Sequence, residues 1–260
     1  MSSHDPKAGR VLLVGAGPGP VDLMTVRAVR AVEGAQALLY DALISEEAIA
    51  LAPPGCVRIQ TGKRAGKPSM HQDEINRLML RLARKGLRVV RLKGGDPSIF
   101  GRVGEEAAFL QDHGVPVEVV PGVTAACAAA AQFGFPLTHR GEARRVVFTT
   151  ARLEAGALAG DWSAASDPEA TMAVYMGGEV AAALSERMIA AGRSPDTPAL
   201  AVEQAGGAQA RLYRGTLATL AGQLAETRGG PVLIVIGEVA AQAGDARALT
   251  EEDGARVLRA

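Results

Sequence analysis

Short apolar runs alternate with helix-length amphipathic segments through the first half of the chain. RVLLVG (10–15), ALLY (37–40), CVRI (56–59), LRVVRL (87–92) and VEVV (117–120) are bounded by turn residues and read as buried strands. Between the third and fourth, HQDEINRLMLRLARKG (71–86) places Ile75, Leu78, Met79 and Leu82 at i, i+3, i+4 and i+7, the stripe of a helix facing a core. Gly86 follows where a glycine ends a helix by adopting the left-handed conformation. This alternation predicts a mostly parallel sheet covered by helices.

Glycine and proline interrupt the pattern in GFPLTHRGEARR (134–145), and a second set of elements begins after it. VVFTT (146–150), TMAVYMG (171–177), ALAVEQA (199–205), ARLYRG (210–215) and PVLIVIGEVA (231–240) read as strands, with helical stretches near 179–191 and 216–227. The expected organisation is a loose leader (1–9), an N-terminal α/β domain (10–142), a C-terminal α/β domain (143–240) and a peripheral tail or short surface helix (241–260). The fold class is therefore α/β, two α/β domains with a ligand cleft expected between them.

Composition narrows the function classes. The 260 residues are 48% hydrophobic and 22% charged, the balance of a globular protein with a substantial core. Only 3% are aromatic, and 28 basic residues balance 28 acidic ones, so the sequence offers neither a stacking platform nor a global field for a nucleic acid. An anionic ligand must be held by local clusters. Cys56 and Cys127 are far apart and the four histidines are scattered, so no metal-ligand spacing is present and none is expected. No apolar run reaches the length of a membrane span and no segment has the pattern of a secretory signal, which makes the expected location cytoplasmic.

Two glycine-rich turns stand directly behind predicted strands. VGAGPGPVDLMT (14–25) invites a dinucleotide-binding reading, but Pro20 occupies the position of the third glycine of that fingerprint. A tight turn with exposed backbone amides remains, either to contact a ligand or as a purely structural turn. In RLKGGDPSIFGRVGEE (91–106), Gly94 and Gly95 open the backbone and Asp96 can accept hydrogen bonds from a ligand. Asp96 followed by Pro97 is equally a common helix start. Basic residues gather in loops: Lys63, Arg64 and Lys67 in TGKRAGK, Arg102 after Gly101, and Arg140, Arg144 and Arg145 near the domain boundary. Guanidinium groups on several loops suit a polycarboxylate, although solvated surface accounts for many isolated charges. VVPGVTAACAAAA (119–131) reads as a strand, a Pro-Gly turn and a helix with a small face suited to close approach.

Taken in order, VGAGPG (14–19), YDALIS (40–45), GKR (62–64), RLKGGDPSIFGRVGEE (91–106), VPGVTAA (120–126), PLTHR (136–140) and YMG (175–177) resemble the uroporphyrinogen-III C-methyltransferases of the tetrapyrrole methylase superfamily. The resemblance spans about residues 10–240. PLTHR with FGRVGEE is similar to this branch rather than to the diphthine-forming, ribosomal-RNA-modifying or later cobalt-corrin methylases. It implies transfer of methyl groups from S-adenosylmethionine to rings A and B of uroporphyrinogen III, giving precorrin-2 by way of precorrin-1 and leaving S-adenosylhomocysteine. It further implies the tetrapyrrole methylase fold, a homodimer, a cofactor cleft between the two domains, and no metal.

The same resemblance implies cofactor contacts at Pro18, Gly94, Gly95, Asp96, Ile99, Thr124, Ala125, Met176 and Ala205. It implies proton-transfer roles for Asp41 and Lys63. Arg102 and Glu105 are carried over as catalytic and substrate-handling candidates, and Arg64, Arg140 and Met176 as further substrate contacts. Three positions depart from the family pattern: Val103 replaces a glycine, Ser98 a larger residue, and Pro20 a frequent acid. Val103 bears most on the substrate side, and the expectation is retained activity with altered kinetics. An inactive enzyme restored by Val103→Gly would contradict that expectation. Rival readings are a nicotinamide-dependent oxidoreductase, opposed by Pro20, and a non-catalytic tetrapyrrole-binding module, opposed by the retained Asp41, Lys63 and GGD.

Overall fold

The computed structural model describes residues 9–62, 70–151, 153–154, 157–158 and 162–245. The chain divides into two compact units, residues 1–124 and 125–260. The glycine- and proline-interrupted stretch at 134–145 falls inside the second unit, where His139 and Ala143 form an isolated bridge.

The first unit contains strands β1 (Arg10–Gly15), β2 (Ala37–Tyr40), β3 (Val57–Gln60), β4 (Arg88–Lys93) and β5 (Val117–Val120), with helices α1 (Val26–Glu33), α2 (Glu46–Ala50), α3 (Gln72–Arg84) and α4 (Val103–Asp112). The sheet is parallel throughout, in the order β3-β2-β4-β1-β5. Helices cover both faces of its centre, which is why β1 and β2 are almost continuously apolar and why only Arg91 and Lys93 break the buried part of β4. Leu12, Val14, Leu38 and Val90 pack with Ala28 and Val32 of α1 and Ile49 of α2. Val11, Leu13, Leu39 and Val89 pack on the other face with Leu78 and Met79 of α3 and Leu110 of α4. Each large aliphatic side chain fully buried in this way contributes about 1.5–3 kcal/mol.

Local signals fix the helix ends. Thr25 Oγ1 accepts from Ala28 N at 3.1 Å and Ser45 Oγ from Ala48 N at 3.3 Å, capping α1 and α2. At the start of α3, Glu74 reaches back to His71 N at 2.9 Å. After α3, Gly86 has φ +82, the left-handed conformation expected from its place in the sequence.

The topology also locates a site. Adjacent strands β1 and β4 are followed by helices on opposite faces, α1 with one core cluster and α4 with the other. The loops leaving their C-terminal ends therefore part, and this is the switch point at which open parallel sheets bind ligands.

The second unit begins with α5 (Ala125–Phe133) and contains β6 (Arg145–Thr150), β7 (Leu153–Glu154), β8 (Ala157–Leu158), β9 (Ala170–Tyr175), α6 (Ala181–Ala190), β10 (Pro198–Glu203), β11 (Arg211–Thr216), α7 (Leu220–Leu224) and β12 (Val232–Ile236). Its main sheet runs β11-β10-β12-β9-β6, and β7 pairs with β8 separately. β6 and β9 pair in parallel, and the other three pairings of the main sheet are antiparallel. The connection from β10 to β11 contains no helix, so that pair closes as a hairpin.

The helix expected at 216–227 is reduced to Leu220–Leu224, because Thr219 Oγ1 accepts from Thr216 N at 2.9 Å and holds the preceding residues in a turn. The strand expected at 231–240 ends at Ile236, ahead of Gly237 at φ +145. No helix among the described residues is long and apolar enough to cross a membrane.

Candidate functional site

At the C-terminal ends of β1, β4 and β5, three backbone segments meet. Ala16 N donates to Lys93 O at 2.8 Å, and Gly17 and Gly95 exchange hydrogen bonds of 3.2 and 2.7 Å. A Cβ on Gly15 would lie 2.6 Å from Gly95 O and 2.7 Å from Gly122 N, and one on Gly122 would collide with Gly95 O. These glycines are required by the chain itself. Gly94 differs, because the nearest atom to a Cβ there is the Leu43 Cβ at 4.0 Å. Among the described residues the space beside Gly94 is thus open, and their packing gives no reason for the missing side chain.

Asp96 ties the loop together. Its Oδ1 accepts from Ser98 N at 2.7 Å and from Ser98 Oγ, and its Oδ2 accepts from Gly122 N at 2.9 Å. Burial raises the pKa of this carboxyl, but the three hydrogen bonds outweigh burial and hold it below the usual carboxylate range. Ser98 therefore has a local function of its own, shaping the turn around Asp96. Pro18 follows Gly17, which exchanges hydrogen bonds with Gly95; Ile99 N donates to Asp96 O at 3.1 Å, and the Cα of Thr124 would lie 3.9 Å from a Cβ on Gly95. The first unit thus gathers Pro18, Gly94, Gly95, Asp96, Ile99 and Thr124 on loops at the same end of its sheet.

Behind this loop is a buried charged cluster. Arg91 and Lys93, on β4, are 3% and 6% exposed, and Glu106 on α4 is completely buried. Glu106 accepts from Lys93 Nζ at 2.9 and 3.0 Å, from Arg91 Nε at 3.5 Å and from Gln72 Nε2 of α3 at 3.0 Å. Arg91 Nη2 donates to Asp41 Oδ1 at 2.6 Å, at the end of β2. Two cations and two carboxylates form a neutral set. Desolvation and neighbouring Arg91 lower the pKa of Lys93, against the attraction of Glu106.

Arg102 and Glu105 form an exposed pair, with Arg102 Nε and Nη2 on the two carboxylate oxygens at 2.8 and 2.6 Å. The hydrogen bond from Arg102 keeps Glu105 below the usual carboxylate range. Arg102 itself adopts φ +56, which ends the preceding loop and starts α4. Val103, the first residue of that helix, packs against the hydrophobic cluster of α3 and α4. Its branched side chain is thus used in the core. Lys63 and Arg64 lie outside the described residues.

In the second unit, Ala125 opens α5, and Ala126 N donates to Tyr175 Oη at 3.3 Å, joining that helix end to the end of β9. Met176 follows with φ +56 and is 63% exposed. Ala205, after β10, is buried in the cluster that Ala125 and Tyr175 pack against. Arg140 is exposed in the loop ahead of β6. Among the described residues, no group of three or more His, Cys, Asp or Glu side chains is placed to hold a metal.

Residues 10–221 match the sequence profile of the Tetrapyrrole (Corrin/Porphyrin) Methylases. The chain belongs to this family. It is 47% identical over 234 residues to a siroheme synthase of Chromobacterium violaceum, covering 90% of this chain and 50% of that protein. A siroheme synthase of Neisseria meningitidis serogroup B is 47% identical over 238 residues, or 92% and 49% of the two chains. The chain therefore spans about half the length of these relatives. Among solved structures, the native uroporphyrin III C-methyl transferase of Thermus thermophilus superposes with a TM-score of 0.78 at 40% identity, covering 95% of this chain and all of that one. The S-adenosyl homocysteine complex of the Thermus enzyme gives 0.77 at 42% identity, with 90% and 100% coverage.

For this methylase, sequence reasoning singled out Asp41 but passed over Thr61, Arg91, Lys93 and Glu106. A usable signal was present, since Arg91 and Lys93 interrupt the apolar run LRVVRL and its continuation. Charges inside a buried strand must be paired, so they point to acidic partners on the covering helices.

Proposed function

We propose that this methylase transfers methyl groups from S-adenosylmethionine to uroporphyrinogen III, on rings A and B, to give precorrin-2 through precorrin-1. Family membership and the names of the Thermus relatives support the reaction class. The observation within this chain that carries the reading is the open space at Gly94, a glycine that no neighbouring atom among the described residues requires, beside an ordered loop at the sheet's switch point. Pro18, Gly94, Gly95, Asp96, Ile99, Thr124, Ala125, Met176 and Ala205 are the proposed contacts for S-adenosylmethionine. When bound, that molecule supplies a methyl group already activated by its sulfonium.

The chain's own residues then have two tasks. They must hold an electron-rich pyrrole carbon in line with the methyl, and accept the proton that the methylated ring carbon must lose. Asp41, with one carboxylate oxygen bonded to Arg91, is the proposed proton acceptor, with Lys63 in a second proton-transfer role. The eight carboxylates of the substrate suit Arg64, Arg102 and Arg140, with Glu105 orienting Arg102 and Met176 offering an exposed apolar contact. A cytoplasmic homodimer completes the proposal.

Anaerobic incubation of the purified protein with S-adenosylmethionine and freshly generated uroporphyrinogen III tests the reaction by product mass. Two added methyls are expected. Absence of transfer, with S-adenosylmethionine still bound, would leave the cofactor assignment standing and mean that the substrate is a different one.

Two glycine substitutions separate ligand space from backbone packing. Gly94→Ala is expected to leave thermal stability unchanged but to weaken S-adenosylmethionine binding roughly 10–100-fold, the effect of about 1–3 kcal/mol of overpacking against the ligand. Gly15→Ala is expected to lower the melting temperature, because its methyl meets the backbone of Gly95 and Gly122. Calorimetric titration and thermal unfolding of both variants check the pair. Full affinity in Gly94→Ala would remove the cofactor from that face of the loop.

A further inference from the structure

Asp41 is held by two side chains for which the proposed reaction has no other use. Arg91 Nη2 reaches Asp41 Oδ1 at 2.6 Å, while its Nη1 donates to Thr61 Oγ1 at 3.1 Å. Thr61, just beyond β3, is 2% exposed. Its hydroxyl proton is shared between the same Asp41 Oδ1 at 3.0 Å and Tyr40 O at 3.1 Å. The three side chains close a triangle, and among the described residues the hydrogen bonds to Asp41 all fall on Oδ1. The carboxylate is 35% exposed, so it is anchored at a buried end while the group as a whole remains accessible.

The anchor is itself anchored. Arg91 Nε lies 3.5 Å from Glu106 Oε1, and Lys93 and Gln72 hold that carboxylate from β4 and α3. Because a guanidinium is planar, fixing Nε and Nη1 fixes the direction of Nη2. Lysine could not reach Glu106, Thr61 and Asp41 from one site. We infer that Thr61 and Arg91 are positioning residues, which hold Oδ1 and leave Oδ2 as the oxygen that accepts the substrate proton. This inference rests on the proposed role of Asp41.

The test compares kcat, the KM for S-adenosylmethionine and the melting temperature of Thr61→Val, Arg91→Lys, Asp41→Asn and the two double variants containing Asp41→Asn. Valine has the shape of threonine without the hydroxyl. Thr61→Val and Arg91→Lys are each expected to lower kcat about 10–100-fold, the effect of misplacing a reacting group by a fraction of an ångström to about 1 Å, while KM stays within about twofold. In the Asp41→Asn background, neither substitution should lower kcat further, because the group they position is gone.

Unchanged kcat in Thr61→Val and Arg91→Lys, together with a large loss in Asp41→Asn, would overturn the inference and leave the proton acceptor in place. Full multiplicative losses in the double variants would also overturn it, since the two side chains would then act independently of Asp41. Normal kcat in Asp41→Asn would remove the proton-transfer reading and the inference with it. Should Arg91→Lys fail to fold, the Thr61→Val pair gives the same decision.

Discussion

Replacing Asp41 by asparagine is expected to lower kcat for methyl transfer by about 10²–10⁴-fold, the usual contribution of a positioned general base. The substitution suits the local geometry. An asparagine carbonyl can take the place of Oδ1 and accept from Arg91 Nη2 and Thr61 Oγ1, now at 2.6 and 3.0 Å. An NH₂ group then replaces Oδ2 and cannot accept the proton. Arg91 still shares the buried Glu106 with Lys93, and the charge removed lies at the partly exposed end of the cluster, so the fold of the first unit should persist. The loss should therefore appear in kcat, with little change in the affinity for S-adenosylmethionine. Steady-state kinetics and calorimetric titration of the variant measure both quantities. A rate close to that of the unmodified protein would transfer proton removal to Lys63 or to solvent.

The parallel half of the fold was legible in the sequence because its central strands β1, β2 and β4 are buried on both faces. Leu12 and Val14 point to one cluster and Val11 and Leu13 to the other, leaving a continuous apolar run that admits few readings. The second sheet was less legible. Runs such as ALAVE and VLIVI are apolar in either strand direction, and direction is set by the connections. Between β10 and β11 the connection is too short for the helical crossover of a parallel pair, and the two strands close as a hairpin.

The glycine motifs posed a different problem. Gly15, Gly94 and Gly122 are alike as letters, yet backbone atoms crowd two of them and leave the third open. Asp96 also has a double reading. As a sequence motif it indicated either a ligand contact or a helix start; in the fold its carboxylate binds Ser98 and Gly122. The bond to Ser98 is a local turn that spacing encodes, whereas the bond to Gly122 reaches across to another loop and is not encoded there.

Glu105 and Glu106 put the same difficulty in its sharpest form, and Glu106→Ala is expected to be the most destabilising substitution considered. The two are neighbours at the start of α4, so they project about 100° apart around the helix. Glu105 faces solvent and pairs with an arginine that is itself half exposed. Its replacement by alanine should leave the melting temperature unchanged. Glu106 points inward, is completely buried, and pairs with both Lys93 and Arg91. Removing it leaves Lys93 buried without its carboxylate and Arg91 with Asp41 alone, and breaking a buried pair in this way costs about 3–5 kcal/mol. At about 2–4 °C per kcal/mol for a protein of this size, a fall in melting temperature of roughly 10 °C follows. Thermal unfolding of the two alanine variants under identical conditions makes the comparison. Equal melting temperatures would mean that water or a rearranged partner neutralises Arg91 and Lys93, and would weaken the case for a rigid anchor behind Asp41.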